Sequence, residues 1–328
     1  MEFRQLGKTD LHISAISLGT WQVGGRWGTG FDPENAEHIL HRAIDAGINF
    51  IDTADVYENG LSEASVGRVV NTRKAEVYIA TKCGRRIQPH TADGYKPEVL
   101  RQHVEDSLRN LKRECIDLIQ LHCPPTAVYY RPEIFGLFER LREEGKIRHF
   151  GVSVEKVEEG IKALNYTNVA AVQIIFNMFR QRPADYFFKY AASKGAGIIV
   201  RVPLASGLLS GQYNLQTSFG AGDHRNFNRN GAAFDKGETF GGIPYEEGLK
   251  AMEELKEIFP GMENLSPLAL KWILQHPEVS CTIPGASNVE QLEINLKAMS
   301  VPNMNPNQLS AVRELYDRRI RSYVHEQW

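Results

Sequence analysis

The chain has 328 residues, of which 42% are hydrophobic and 24% are charged, as is ordinary for a globular protein with a large apolar core. Its formal net charge of −2 gives no electrostatic support to a nucleic-acid partner. No apolar run approaches the roughly 20 residues of a membrane span, and the N-terminus has no signal-peptide pattern. Four cysteines in neither CxxC nor zinc-ligand spacing suit a reducing compartment, so we predict a cytoplasmic protein without a membrane partner.

Strand-like and helix-like segments alternate along the chain. Residues 3–14 alternate weakly around a Gly-Lys-Thr-Asp turn, which predicts a β-hairpin before the main fold. Eight strands are predicted at residues 15–18, 49–52, 77–82, 117–122, 149–153, 171–176, 198–203 and 280–284. Helices are predicted at residues 33–46, 62–70, 97–111, 132–144, 154–164, 183–194, 267–275, 289–299 and 308–323.

Several residues mark where these helices begin or end. Pro97 suits the first turn of its helix, Gly47 suits a helix stop, and Ser62 is a plausible N-cap. Short apolar strands joined by helices predict right-handed parallel crossovers, and their even spacing favours a closed (β/α)₈ barrel over an open sheet. The length could hold two domains, but one barrel of about 250 residues plus insertions also fits. We therefore expect one domain over residues 1–328, with residues 308–323 as an extra C-terminal helix.

Residues 204–246 break this alternation. The segment is long and rich in Gly, Asn and Phe, and a loop of this length in a compact domain is usually functional or mobile. A disordered insertion is the alternative. The aromatic residues Tyr213, Phe219, Phe227 and Phe234 favour a lid.

Four polar residues follow three consecutive predicted strands, where an α/β barrel keeps its chemistry: Asp52, Tyr57, Lys82 and His122. A nearby ammonium favours the phenolate, so Lys82 should lower the pKa of Tyr57. Asp52 can supply the counter-charge that a buried Lys82 needs. His122 can then hold a substrate oxygen. Each residue alone would more often be a cap, an ion-pair partner or a core residue, but together they suit protonation of a carbonyl oxygen.

Attack on the carbonyl carbon by hydride needs a cofactor, because no side chain donates hydride. The G-x-G-x-x-G signature is absent, as are a P-loop, a G-x-S-x-G elbow and an H-E-x-x-H helix. A nicotinamide cofactor must therefore be held by late loops and a helix N-terminus. Residues 204–211 and 283–288 supply two such segments.

These motifs resemble those of the aldo-keto reductases, closest to bacterial members with a long loop after strand seven, similar to general-stress reductases and potassium-channel β-subunits. The family pattern Gly-x-Asn-x-x-Asp-Thr-Ala-x-x-Tyr matches Gly47, Asn49, Asp52, Thr53, Ala54 and Tyr57. Thr81-Lys82 and Leu121-His122 match the third and fourth strand ends, and the similarity runs from Phe3 to about Met299.

The resemblance implies that Tyr57 is the general acid, that Lys82 and Asp52 tune it, and that His122 orients the carbonyl. It implies hydride delivery from NADPH, with NAD possible. The cofactor-binding residues that it implies are Gly19, Thr20, Trp21, Asp52, Ser153, Gln173, Arg201, Pro203, Leu204, Ser206, Gly207, Leu209, Gly211, Gly285, Ala286, Ser287, Gln291 and Asn295. Among these, Ser153 and Gln173 match carboxamide contacts, residues 204–211 the diphosphate loop, and residues 285–295 the adenosine end.

Three positions depart from the family pattern. Val154 replaces an Asn that contacts the carboxamide, a role that Asn177 or Gln173 could take over. Arg201 stands where an aromatic residue often stacks on the nicotinamide, and a guanidinium plane can also stack or approach the phosphates. Ser287 stands where a cation commonly binds the 2′-phosphate, which weakens the expected discrimination against NADH.

Candidate substrate-binding residues are Trp21, Trp27, Tyr57 and His122, with Tyr129 and Tyr130 as further possible walls. An apolar, aromatic mouth would accept aldehydes, ketones or sugar-derived carbonyls. The expected function is NADP-dependent reduction of such carbonyls to alcohols. A nicotinamide-sensing, non-enzymatic subunit of a larger complex is the alternative. A metal-dependent hydrolase would need several His and carboxylates at the strand ends, where only Asp52 and His122 stand out, so no metal is expected.

Overall fold

The predicted N-terminal hairpin is formed by β1 (Phe3–Gln5) and β2 (His12–Ser14), which pair in antiparallel fashion. The computed structural model describes residues 1–25 and 30–328. The hairpin turn lies against the barrel, since a Cβ on Gly7 (φ +53°) would be only 2.2 Å from the backbone nitrogen of Gly197. Leu6, Leu11 and Ile13 are buried with apolar side chains of the barrel strands, so the hairpin is packed against the barrel interior.

Eight parallel strands form the barrel, and they are hydrogen-bonded in their order along the chain. They are β3 (Leu18–Gly19), β4 (Phe50–Asp52), β5 (Tyr78–Cys83), β6 (Ile116–His122), β7 (Ile147–Ser153), β8 (Val169–Ile175), β9 (Gly197–Arg201) and β10 (Val279–Thr282). Isolated parallel bridges join Ile16 to Thr282 and Gly19 to Gly285, which brings the first and last strands together. The predicted (β/α)₈ barrel is therefore confirmed.

Helices lie between the strands and after them. They are α1 (Pro33–Asp45), α2 (Leu61–Thr72), α3 (Pro97–Leu111), α4 (Pro132–Glu143), α5 (Val157–Ala163), α6 (Arg182–Asp185), α7 (Phe187–Ser193), α8 (His224–Phe227), α9 (Tyr245–Ile258), α10 (Ser266–Leu274), α11 (Val289–Leu296), α12 (Pro306–Leu315) and α13 (Arg321–Val324). None of these helices is long and apolar enough to cross a membrane. Helices α2 and α3 approach so closely that a Cβ on Gly67 would lie 2.3 Å from the carbonyl oxygen of Leu111.

Two predictions near the helix starts are wrong. Ser62 is not the N-cap of α2, which begins one residue earlier after Gly60 (φ +87°); its hydroxyl instead donates to Thr20 at 2.8 Å. The helix predicted from residue 154 begins at Val157, because the Val154 amide still bonds to the neighbouring strand. The carboxylate of Glu159 then accepts from the amide of Lys156 at 3.1 Å and caps the helix.

The first strand and the last predicted helix also differ from expectation. Residues 15–17 are joined to β10 by isolated contacts, so β3 has only two residues. The helix predicted at residues 308–323 is interrupted by a π-turn at Tyr316–Ile320. Its true start is earlier, where Asn305 and Gln308 form a capping box around Pro306. The helix predicted at residues 183–194 is likewise divided at Tyr186, whose ψ of −45° accompanies a φ of −140°.

Candidate active site

The strand register brings the predicted tip residues to one end of the barrel. Lys82 on β5 is level with Gln120 on β6, and His122 is level with Ser153 on β7. Ser153 is in turn level with Gln173 on β8. The carboxyl ends of the parallel strands thus place the predicted catalytic and carboxamide-binding residues in one region.

Lys82 is the centre of this region and is almost fully buried. Its ammonium forms an ion pair with Asp52 and donates to the backbone oxygen of Thr53 at 2.8 Å. The same nitrogen lies 3.4 Å from the hydroxyl of Tyr57. A buried ion pair is tolerated when further hydrogen bonds satisfy both partners, as they do here.

The second carboxylate oxygen of Asp52 accepts two more hydrogen bonds. Gln120 donates at 3.0 Å and Gln173 at 2.8 Å. Gln173, expected to contact the nicotinamide carboxamide, is thus bonded to Asp52 in this structure. Gln120 is absent from the sequence-based site, although a signal existed: it is polar in an apolar strand and shares a strand face with His122, two residues on.

Tyr57 is placed by an unusual turn. Glu58, Asn59 and Gly60, which follow it directly, all have positive φ, at 46°, 53° and 87°. Non-glycine residues adopt such conformations at a cost of about 1–2 kcal/mol each, and strain of this kind collects at functional sites. The turn carries the chain from Tyr57 straight into α2.

Lys82 lowers the pKa of Tyr57 as expected, but the net shift of that pKa is upward. Burial raises the pKa of Tyr57 by more than the Lys82 ammonium lowers it, so the pKa stands above its usual value. Burial would lower the pKa of Lys82, but Asp52 and Tyr57 together raise it. The tyrosine is therefore protonated and the lysine charged at neutral pH.

His122 lies beside Tyr57, with ring centroids 6.0 Å apart and the rings nearly perpendicular. Burial, and then the nearby cations Arg85, Lys82 and Arg201, lower the pKa of His122 well below its usual value. The imidazole is therefore neutral. Its buried Nδ1 has no hydrogen-bond partner among residues 1–25 and 30–328, which is typical of a group that meets a ligand.

A group of charged side chains near His122 was not predicted as a set. Arg201 donates to Glu155 at 2.9 Å and lies 3.6 Å from Glu238, which also accepts from Arg85 at 2.9 Å. Burial raises the pKa of Glu155 to about 8, whereas Arg85 and Arg201 outweigh burial and lower that of Glu238 to about 2. Sequence reasoning could not link Glu238 to Arg201, because the long loop gives no periodic signal.

The same group resembles a metal-binding cluster in composition. Oxygen atoms of Glu155 and Glu238 and the sulfur of Cys123 lie within 4.8 Å of one another. However, the guanidinium of Arg201 donates to Glu155 and lies 3.4 Å from the Cys123 sulfur. The charge that a metal ion would supply is thus already provided by an arginine.

Aromatic rings line the region above Tyr57. The ring centroid of Trp21 lies 6.4 Å from that of Tyr57, and the ring centroid of Phe234 in the long loop lies 6.0 Å from that of Trp21. Trp27, the other proposed pocket tryptophan, lies outside the described residues. Tyr129 is fully buried, and the ammonium of Lys162 on α5 lies over the ring of Tyr130. Within residues 1–25 and 30–328, neither tyrosine ring lies against Trp21, Tyr57 or Phe234.

The segment predicted to hold the diphosphate, residues 204–211, follows β9 in a tight turn. Ala205 and Ser206 have φ of 47° and 56°, and Gly207 and Gly211 also have positive φ. The hydroxyl of Ser206 donates to the backbone oxygen of Glu238 at 3.2 Å and accepts from the amide of Phe240 at 3.1 Å. This strained backbone fits a ligand-binding turn.

The segment predicted to hold the adenosine end begins beside β10. Gly285 is bridged to Gly19, which places the start of this segment beside the carboxyl end of β3. Gln291 accepts from the Ser287 amide at 2.9 Å, and Asn295 donates to the Gly285 oxygen at 3.2 Å. Gln291 and Asn295 therefore shape the turn from within. Two arginines of the long loop are engaged with other side chains: Arg225 pairs with Asp223, and Arg229 lies over the ring of Tyr245.

Curated relatives match nearly the whole chain. An uncharacterized oxidoreductase, YqkF of Bacillus subtilis, is 29% identical over 95% of this chain and 96% of its own length. A putative voltage-gated potassium channel subunit beta of Schizosaccharomyces pombe is 30% identical over 95% and 92%. The NADP(+) aldo-keto reductase yakc of the same yeast is 27% identical over 93% and 89%.

Solved structures agree with these relatives. The holo form of aldo-keto reductase AKR11C1 from Bacillus halodurans has a TM-score of 0.77 at 27% identity, covering 100% of this chain and 99% of the other. Glycerol dehydrogenase AKR11B4 from Gluconobacter oxydans has a TM-score of 0.76 at 28% identity, with coverage of 97% and 96%. A model of the Aldo/keto reductase family matches residues 15–317. The chain therefore belongs to the aldo/keto reductase family of oxidoreductase enzymes, as its motifs indicate.

Proposed function

We propose that this protein is an NADPH-dependent carbonyl reductase in which Tyr57 donates the proton to the carbonyl oxygen. The observation that supports this most is the position of the Lys82 ammonium, paired with Asp52 and 3.4 Å from the Tyr57 hydroxyl. A positive charge next to a protonated phenol stabilises the phenolate that forms when the proton leaves. The substrate class is small aldehydes or ketones, including sugar-derived carbonyls.

Each residue has a separate part in this chemistry. Tyr57 begins protonated because burial raises its pKa, and it gives its proton to the substrate oxygen. Lys82 then faces the phenolate, while Asp52 keeps the lysine charged. His122, which is neutral, donates a hydrogen bond to the same substrate oxygen and orients the carbonyl. The bound nicotinamide supplies the hydride.

The residues proposed to hold NADPH fit such a ligand in two respects. The buried Nε of Arg201 has no hydrogen-bond partner in the described part of the chain, so this polar group is free for a ligand. The positive-φ turn at Ala205 and Ser206 follows the carboxyl end of β9, and strained turns of this kind are common in ligand-binding loops. A relative whose name carries NADP(+) supports this choice of cofactor.

The test is NADPH oxidation with an electron-poor aryl aldehyde, comparing wild type with Tyr57→Phe. We expect the variant to lose at least about 100-fold in kcat, as is usual when a general acid is removed. NADPH binding, followed by its fluorescence, should be retained. Tyr130→Phe removes the hydroxyl of an exposed tyrosine and is the matched control. Equal rates for wild type and Tyr57→Phe would refute Tyr57 as the proton donor.

A second candidate is a nicotinamide-sensing subunit of a larger complex. The potassium channel subunit names of several relatives favour it. Tight NADPH binding without turnover of aldehydes, or of glycerol in the oxidative direction, would support this candidate. A clear wild-type rate would favour the reductase.

A further inference from the structure

Trp328 is a buried aromatic residue that packs against the long loop, although the two are far apart in sequence. Only 5% of the residue is exposed. Its indole Nε1 donates a hydrogen bond to a carboxylate oxygen of Asp235 at 2.7 Å, and the same oxygen accepts from the Gly237 amide at 2.7 Å. The indole is therefore bonded to the residue that shapes the turn into Gly237.

The contact between the indole and the loop is close enough to require glycine. A Cβ on Gly242 would lie 2.7 Å from the Trp328 ring, and one on Gly237 would lie 2.9 Å from it. The guanidinium of Arg180, itself buried, lies 4.1 Å from the ring centroid and donates to the Gly241 oxygen at 3.1 Å. Trp328 and Arg180 thus hold residues 237–242 from one side.

The other side of that segment meets the proposed cofactor site. Glu238 pairs with Arg85 and Arg201, and its backbone oxygen accepts from the hydroxyl of Ser206. The Phe240 amide donates to the same hydroxyl. Arg201 and Ser206 belong to the residues proposed to hold the nicotinamide and the diphosphate.

We infer that Trp328 is a positioning residue for the cofactor site. It fixes residues 237–242, and this segment, through Glu238, in turn positions Arg201 and Ser206. This inference rests on the proposed function. Loss of the indole would remove the donor to Asp235 and leave space beside two glycines, so the segment would be held less firmly, by Arg180 and the contacts of Glu238 and Phe240 alone. The Glu238 carboxylate would then be held less firmly against Arg85 and Arg201.

The consequence expected is a change in cofactor binding rather than in the chemical step. The indole bonds to the protein and not to NADPH, so its loss changes the Kd only through the cost of fixing residues 237–242 when NADPH binds. For an indirect coupling of this kind we expect about a tenfold weaker Kd for NADPH. The turnover number at saturating NADPH should change less than about twofold, because within residues 1–25 and 30–328 no hydrogen bond or ring contact joins Tyr57, Lys82 or His122 to Trp328 or residues 237–242. The charge of Glu238 does raise the pKa of Tyr57, but less than burial and the neighbouring Lys82 and Asp52 affect it, and Trp328→Ala keeps that charge.

The experiment measures the Kd of NADPH and the kcat for an aryl aldehyde in wild type, Trp328→Ala and the control Tyr323→Ala. Tyr323 is an exposed aromatic residue of α13, so its removal tests for a general effect of altering this end of the fold. Weaker NADPH binding in Trp328→Ala alone, with kcat nearly unchanged, is the expected result. Equal Kd values in Trp328→Ala and Tyr323→Ala would overturn the inference.

The route through Glu238 is tested by a double-mutant cycle with Glu238→Gln. Residues that act through one another give non-additive effects, so the double variant should bind NADPH no more weakly than the worse single variant. If the fold-change in Kd of the double variant equals the product of the two single-variant fold-changes, this route is overturned. If Trp328→Ala does not fold, Trp328→Phe keeps a ring against the glycines, removes the donor to Asp235, and should still weaken NADPH binding; an unchanged Kd would refute the inference.

Failure of this inference is distinguishable from failure of the proposed function. If wild type neither binds NADPH nor reduces aldehydes, the proposed function fails, and the inference fails with it. If wild type binds NADPH and turns over while both Trp variants behave as wild type, only the inference fails.

Discussion

Asp55 is a buried acid whose ionisation should make the folded state less stable as the pH rises. The residue is 1% exposed, and within residues 1–25 and 30–328 no well-aligned hydrogen bond reaches its carboxylate oxygens. Burial raises the pKa of Asp55 from 3.8 to about 7, although Arg86, 3.1 Å away, opposes the rise. Between these two pH values the folded protein retains a proton that the unfolded chain has released.

The sign and size of the effect follow from this difference. Stability falls with rising pH wherever the folded state binds more protons than the unfolded state. The contribution is fully present below about pH 4 and is lost as the pH rises through about 7. A difference of about three pH units corresponds to about 4 kcal/mol, of which about 2–3 kcal/mol is lost between pH 5 and pH 8.5.

Asp55→Asn keeps the shape of the side chain and removes the ionisation. We expect its free energy of unfolding, relative to wild type, to rise by about 2–3 kcal/mol between pH 5 and pH 8.5. Urea unfolding followed by tryptophan fluorescence at the two pH values measures this, and other titrating groups cancel in the comparison. Asp93→Asn, which removes an exposed carboxylate, is the matched control. A difference between Asp55→Asn and wild type that is the same at both pH values would refute the argument.

Two further substitutions test the site and the packing around it. Lys82→Met should lower kcat by at least about 100-fold, which steady-state kinetics measures. It should also reduce the free energy of unfolding by about 3–5 kcal/mol in a urea titration, because the Asp52 carboxylate would be buried without the ammonium that pairs with it. Gly67→Ala should lower the free energy of unfolding by about 1–3 kcal/mol, because the new Cβ would lie 2.3 Å from the backbone oxygen of Leu111. The control is Gly136→Ala on α4, where the Cβ would lie 3.7 Å from a flexible arginine side chain. This control should leave the free energy of unfolding unchanged or raise it by up to about 1 kcal/mol. Equal thermal unfolding of the two alanine variants would contradict the close approach of α2 and α3.

The elements predicted most accurately have local signals at their ends. Helix α3 begins and ends where predicted, because Pro97 occupies its first turn and its apolar residues follow a helical period. Helix α1 likewise ends just before Gly47, which has φ of +90°. The first barrel strand was harder, since two ladder residues are too few for any alternation to be visible.

The site was predictable where residues are fixed by strand register and was not where they come from loops. Asp52, Lys82 and His122 stand at strand ends, so their proximity followed from the barrel alone. Glu238 pairs with Arg201 although it lies 37 residues further along the chain, and the segment between the two residues has no periodic sequence pattern. The net pKa of Tyr57 also escaped prediction, because burial is a property of the folded protein.

The bridges between residues 16–19 and residues 282–285 set an order on biosynthesis. Ribosomal synthesis runs from the N-terminus, so the Asp52–Lys82 pair can form early, from strands that are neighbours in the chain. The ring cannot close until residue 285 has left the ribosome, long after the strands that carry Asp52 and Lys82 have been made. Until then the open edges of the growing sheet are exposed to other chains, and chaperones that shield such edges should matter most in this interval.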